Sequence, residues 1–448
     1  MSGALMVCGT ASGVGKSLVV TGLCRLLARK GVRVAPFKAQ NMSNNSAVTA
    51  DGAEIGRAQY AQAQAAGVEP EAAMNPVLLK PTGDRTSQVV VLGRALPGSW
   101  NGEASPVPLS VPRTALRSLR ERFEVVMLEG AGGAGEINLL DRDIVNLPLA
   151  AAESIPAIVV GDIERGGVFA SLYGTVALLP DHLRACVRGF VINRFRGDPS
   201  LLDPGLVELE ARTGVPVLGV LPWLTDVAGD DEDSMDVAGF GDAAASVDVA
   251  VIRLPHVSNF TDLDPLRVEP DVRVRYVSAA GQLGRPDVVV VPGTKATVDD
   301  LAWLRATGMA DAIAACGALI VGICGGYQML GRRIVDDVES GEGAAAGLGW
   351  LDVETVFEPD KVVRRGCAGR YEIHHGRVDP AEWWTGPVGG TVEHGLFDDN
   401  GFRRRFVGEV GGTPGTDSWA AHREARFNRL ADALEAHLDL AALEALWS

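Results

Sequence analysis

Hydrophobic and polar positions along the chain fall into short apolar runs separated by stretches of helical period. Leu5-Met6-Val7 is the first run, and Leu18, Val19, Leu23, Leu26 and Leu27 then recur at the spacing of an amphipathic helix. Further runs at Val32–Phe37, Gln88–Leu92, Phe123–Leu128, Ala157–Gly161, Gly189–Ile192 and Val217–Leu221 predict strands, and Glu54–Ala66 reads as a small-residue helix. Strands alternating with helical patterns predict an α/β domain built on a doubly wound parallel sheet. From Asp226 to Ala245 the pattern lapses into an acidic, Gly- and Ala-rich stretch without a sustained period, the mark of a linker. A second α/β set follows, with strands at Val247–Leu254, Asp287–Val291 and Ala318–Ile323. The predicted organisation is a domain over 1–228, a linker over 229–246 and a second α/β domain over 247–448.

Composition narrows the class. A chain of 448 residues exceeds one ordinary core, and two domains of roughly 200 residues each are expected. With 47% hydrophobic and 22% charged residues it reads as soluble and globular. The net charge of −16 argues against nucleic acid as a partner, and an anionic ligand would need local basic residues. The apolar stretch around Leu147–Val160 is cut by Glu153 and Pro156, so no membrane span is expected, and the N-terminus carries no signal-peptide pattern. Six cysteines form no C-x-x-C pair and no zinc spacing, which suits a reducing cytoplasm.

The first candidate chemistry is Val7–Ser17, VCGTASGVGKS, between the first strand and the first helix. A glycine-rich turn there directs backbone N–H groups inward, and the helix N-terminus adds partial positive charge, so the loop suits a nucleotide's phosphates. Thr10, Gly13 and Gly15 would shape it, Lys16 would reach the outer phosphates, and Ser17 would offer its hydroxyl to Mg²⁺. Thr10 stands where the usual pattern has its first glycine, as in ATPases similar to dethiobiotin synthetase. Glu129 ends a strong strand and precedes Gly130-Ala131-Gly132-Gly133, the position of a metal-coordinating acid. Asn193 ends another strand, where its amide would pair with an adenine edge. Lys38, Asp162 and Arg165 also follow strands and are candidates for nucleotide, substrate or purely structural contacts.

The second candidate is Cys324. Strand Ala318–Ile323 runs directly into Cys324-Gly325-Gly326-Tyr327-Gln328, and Met329, Leu330 and Ile334 continue as a helix. Strand, sharp turn and helix with a thiol at the apex make a nucleophile elbow. A thiol nucleophile needs a base. His394, His374 and His375 are the candidates, and the last two sit beside Arg364, Arg365 and Arg370 in what reads as an anion-binding surface.

Taken together, these motifs carry a resemblance. GICGGYQMLG is similar to the elbow of class I glutamine amidotransferases, and the phosphate loop with LEGAGG resembles dethiobiotin synthetase. Joined in this order they resemble the amidating enzymes of corrin biosynthesis. FKAQNMSNNS, EIGRAQ, MNPVLLKP, EINLLDRDIVN, GDIERGGVFASLYGT, LPHVSNFTD, PGTKAT and YEIHHGR match the cobyric acid synthase branch. The resemblance implies a carbon–nitrogen ligase using ATP, Mg²⁺ and L-glutamine as nitrogen donor. Its substrate would be a corrinoid, adenosylcobyrinic acid a,c-diamide, amidated at carboxylates b, d, e and g. It implies Cys324 as nucleophile, His394 as base, and Gly293 and Gly325 as oxyanion hole, with Arg370 and His374 toward the substrate. The acid that usually follows the histidine by two positions is replaced by Leu396, so a Cys–His dyad is expected. Cobyrinic acid a,c-diamide synthase, an amidotransferase for a lipid-linked cell-wall precursor and a partition-type ATPase stay open as alternatives.

Overall fold

The structure is a computed structural model that describes residues 3–83, 85–102, 107–224 and 239–447. The predicted parallel sheet forms the first unit, in the order Val217–Pro222, Val187–Phe195, Ala157–Asp162, Gly3–Gly9, Val125–Glu129, Val34–Phe37. All its pairings are parallel. Its strands read as unbroken apolar runs because both faces are covered. Ala4, Met6 and Cys8 point into one core and Leu5 and Val7 into the other. The strand order reverses around Gly3–Gly9, and loops at the carboxyl ends there open onto a shared crevice.

The second sheet has the order Val272–Val277, Val247–Ile252, Val288–Val291, Leu319–Ile323, Val388–Thr391, Glu382–Thr385 and is parallel except for its last, antiparallel strand. Most of the predicted linker lies outside the described residues. Where the chain is described again, Phe240 N already donates to the Val274 carbonyl at 2.8 Å, adding to that sheet's edge.

Two further four-stranded sheets were not legible as units in the sequence. One joins Gln40–Met42, Val77–Gly83, Thr86–Val91 and Arg94–Trp100; the other joins Gly343–Ala346, Arg333–Asp336, Glu354–Arg365 and Tyr371–Val378. The stretch read as one helix from Glu54 divides into a strand, Glu54–Gly56, and a helix, Arg57–Ala65. That strand pairs with Ser46–Val48, and this hairpin packs on the second extra sheet, burying Val48 against Tyr371 and Ile373.

The last helices cross back. Trp419–His437 and Leu440–Trp447 follow the second domain in sequence, yet Leu434, Leu438 and Leu443 share a core with Leu5, Val7 and Leu23 of the first. Burying each of these leucines is worth roughly 1.5–3 kcal/mol. Arg25–Glu424 and Lys30–Glu444 ion pairs rim the contact. The expected span 247–448 is therefore continuous in sequence but not in space. Among the described residues no helix is long and apolar enough to cross a membrane.

Candidate active site

The phosphate loop leaves the central strand at Gly9 and is held by Thr10 N donating to the Val160 carbonyl at 3.0 Å. Gly13 (φ +69°) and Gly15 (φ +100°) turn it in the left-handed region, which favours glycine. A Cβ at Gly15 would sit 2.1 Å from Asn193 Nδ2. Lys16 folds over the loop, donating to the Ala11 and Gly132 carbonyls at 2.9 and 3.0 Å. Ser17 Oγ donates to Glu129 Oε1 at 2.8 Å. Parallel pairing that sets Val7 beside Glu129 brings the acid to this position.

Glu129 is almost fully buried and meets two further groups. Lys38 Nζ lies 3.1 Å from Oε1, and Gln62 Nε2 donates to Oε2 at 2.5 Å. Burial alone would raise the pKa of this carboxyl. The Lys38 charge and the hydrogen bonds from Gln62, Ser17 and Lys38 hold it below the ordinary carboxylate value. A hydroxyl and an ionised carboxylate side by side beneath a phosphate loop are hard oxygen donors, the set that fits Mg²⁺ with nucleotide phosphates. Lys38 is thus part of this site. Gln62 was not foreseen, since nothing in its local sequence sets it apart from its neighbours.

Asn193 takes a different position from the one expected. Its Nδ2 donates to the Val14 carbonyl at 2.9 Å and the residue is buried, so the amide braces the phosphate loop. Asp162 is paired with Arg194 at 2.7 Å, and Arg165 lies exposed in the loop beyond it.

Cys324 sits at the elbow with φ 50° and ψ −113°, a conformation that a β-carbon strains against. Close packing enforces it. A Cβ at Gly322 would meet Tyr327 backbone atoms at 2.6 Å, and one at Gly326 would meet the Val291 carbonyl oxygen at 1.9 Å. The buried His394 ring lines the same small cavity as Cys324, and its Nδ1 lies 2.7 Å from Asp262 Oδ2. The other Asp262 oxygen accepts Gly395 N at 3.0 Å. The Tyr371 ring stacks on the imidazole, centroids 5.3 Å apart.

Burial favours the neutral ring, but the Asp262 carboxylate, with a smaller contribution from Cys324, outweighs it and raises the His394 pKa to about 10. His394 is therefore held as an imidazolium beside the sulfur. Cys324, His394 and Asp262 form a triad, and the expected dyad gains a third member from an element the local spacing did not point to. Gly293 and Gly325 flank it: a Cβ at Gly293 would lie 3.1 Å from His394 Cε1, and one at Gly325 would lie 2.7 Å from Thr294 Cγ2.

The two sites are joined by buried polar contacts. Asn259, in the left-handed region at φ 49°, accepts Ser46 N at 3.0 Å and donates to the Tyr371 hydroxyl at 3.2 Å. Thr261 Oγ1 donates to Asn45 Oδ1 at 3.1 Å. Glu54 accepts from Lys80 and Lys361, one from each unit, and their charges hold it ionised despite complete burial. Lys361 pays for that burial with a pKa lowered to about 8.

The arginines beside His374 carry ion pairs within the fold. Arg364 pairs with Glu372, Arg365 with Glu69, Arg370 with Glu382 and Glu393, and Arg377 with Glu358. His374 is held between the Gly376 carbonyl and Glu372 at 2.7 and 3.0 Å. Each of these arginines thus meets a carboxylate within the fold, Arg364 and Arg365 at exposed positions.

A P-loop domain carrying a Ser–Glu oxygen pair, joined to an elbow thiol with its His–Asp relay, defines a nucleotide-dependent synthetase fused to a glutamine amidotransferase. Residues 248–402 match the CobB/CobQ-like glutamine amidotransferase domain family, and residues 5–237 match the CobQ/CobB/MinD/ParA nucleotide binding domain family. The chain is 49% identical to a cobyric acid synthase from Frankia casuarinae, over 100% of this chain and 97% of that one. It is 51% identical to one from Rhodococcus jostii, over 99% and 95%. The MinD cell division protein of Aquifex aeolicus aligns at 12% identity over 50% of this chain and 84% of that one, with a TM-score of 0.31. The chain belongs to the cobyric acid synthase family. Its activity is glutamine-dependent amidation in cobalamin biosynthesis.

Proposed function

We propose that the chain amidates carboxylates b, d, e and g of adenosylcobyrinic acid a,c-diamide to adenosylcobyric acid, with ATP as the activating nucleotide. The observation that carries the division of labour is the pairing, in one chain, of the Cys324–His394–Asp262 triad with the Ser17–Glu129 pair. The choice of corrinoid rests on the extended match to the cobyric acid synthase relatives.

In this reading Cys324 Sγ, its proton passed to His394, attacks the side-chain amide carbon of glutamine. Backbone N–H groups at Gly293 and Gly325 receive the oxyanion, and His394 gives its proton to the departing nitrogen as ammonia leaves. Water then cleaves the thioester with His394 as base, and Asp262 keeps the ring in the required tautomer. In the other domain a substrate carboxylate attacks the terminal phosphoryl group of ATP held by Lys16 and the phosphate loop, breaking its bond to the β-phosphate and giving an acyl phosphate and ADP. Ammonia displaces phosphate from it; a bare carboxylate would resist that attack. Ser17 and Glu129 would hold Mg²⁺, whose charge eases phosphoryl transfer. Lys38 and Gln62 fix the Glu129 carboxylate for that task.

The test is mass spectrometry of products from the a,c-diamide and from unamidated cobyrinic acid, each with ATP, Mg²⁺ and glutamine. Four added amides on the diamide are expected. Amidation only at positions a and c would overturn the substrate assignment.

A further inference from the structure

The space beside Cys324 is too small for its substrate. The cavity lined by Cys324, His394 and Gln328 measures about 30 Å³, room for only two or three waters. Next to it, between the two extra sheets, lies a cleft of about 1000 Å³. Lys295, Thr297, Glu339, Lys361 and His375 line both. Glutamine entering from the cleft must pass them.

Most of these groups are committed elsewhere. Lys361 is bound to Glu54 and Gln88, and His375 Nδ1 to the Glu358 carbonyl. Lys295 and Glu339 are bound to each other, with side-chain exposures of 8% and 16%. Both are rigidly mounted. Lys295 follows Thr294, whose hydroxyl is tied to Asp300 and the His256 carbonyl. Glu339 belongs to a turn in which Asp336 accepts the N–H groups of Val338, Glu339 and Ser340.

We propose that Lys295 and Glu339 form the subsite for the amino-acid head of glutamine, Glu339 taking the α-ammonium and Lys295 the α-carboxylate. This rests on reading Cys324 and His394 as the glutaminase centre. The ion pair closes the cavity and opens to admit a zwitterion. A ligand bearing both charges on one carbon can exchange partners with a preformed pair without leaving a buried charge uncompensated, the costly outcome for such a pair. An amide lacking either charge leaves Lys295 or Glu339 unpaired, so the same two residues select glutamine over simpler amides. The side-chain amide then extends into the cavity toward Cys324.

The experiment is ammonia release by the full chain from glutamine, from glutaramate, which lacks the α-amino group, and from 4-aminobutyramide, which lacks the α-carboxylate. Glu339→Gln is expected to raise KM for glutamine about tenfold or more with a much smaller change in kcat. Its kcat/KM for glutaramate should hold or rise. Lys295→Met should show the mirror pattern, losing glutamine affinity while sparing 4-aminobutyramide. Glu339→Asp, which keeps the charge, should recover part of the affinity. An equal loss on all three amides would make the pair merely structural and overturn the assignment, as would an unchanged glutamine KM in both variants. Ammonia release that survives Cys324→Ala would overturn the glutaminase reading itself, and this subsite with it.

Discussion

Asp262 Oδ2 lies 2.7 Å from His394 Nδ1, although 132 positions separate the two residues in the chain. The contact supplies the orienting acid that Leu396 leaves vacant at the usual spacing. Asp262→Asn should lower glutamine-dependent turnover on the order of 100-fold, because the imidazole loses both its tautomer and its charge partner. Steady-state assays with glutamine and with ammonium salt would show it: only the former should fall.

The same contact has a pH signature. His394 titrates near 10 when folded, against an ordinary value of 6.5, so the triad contributes stability that is fully present below pH 6.5 and lost as pH rises through 10. Chemical denaturation between pH 6.5 and 10 should show falling stability in the native chain. In Asp262→Asn the decline should be shallower, since the ring no longer gains a carboxylate on folding. Equal slopes in the two proteins would show that Asp262 does not set the charge on His394.

Cys324→Ala should abolish glutamine-dependent amidation while amidation from ammonium salt continues at near the native rate, since the thiol takes no part in the ATP half of the reaction. Product analysis with each nitrogen source decides this. A folded variant that has lost both activities would mean that the two halves are not separable.

Lys16→Ala and Glu129→Gln should each lower synthesis by at least about 100-fold with either nitrogen source, the first by removing charge from the phosphate loop, the second by weakening the cation site beside Ser17. Nucleotide binding measured by calorimetry with and without Mg²⁺ separates them: the Glu129 variant should lose chiefly the Mg²⁺-dependent part.

Arg403 is wholly buried and bonds Glu269 at 2.7 Å, the Phe397 carbonyl at 2.9 Å and Asn400 at 2.9 Å. Arg403→Met strands the Glu269 charge and should cost about 3–5 kcal/mol. Denaturant unfolding of the second domain, followed by tryptophan fluorescence, should move to lower midpoint. A change below 1 kcal/mol would mean that water or a rearranged side chain takes the place of the guanidinium.

What the sequence determined by itself is local. The phosphate loop from Thr10 to Ser17 and the elbow at Cys324 are contiguous, and each needs glycines where backbone geometry or packing excludes a side chain, so residue order alone exposes them. The buried strands were legible for a similar reason, because an apolar run reports burial on both faces. Periodicity says that a face is covered but not by what. Only the tertiary structure decided that Leu434 and Leu438 would cover the first sheet, and that the strands of the two extra sheets would pair as they do. Charge is likewise silent about its partner. Glu69, Glu382 and Glu393, which pair with Arg365 and Arg370, are not adjacent to them in the chain, so these pairings could not be read from the residues around His374. Asp262 and Gln62 were hidden for the same reason: each meets His394 or Glu129 through chain folding, and nothing in its own neighbourhood marks it.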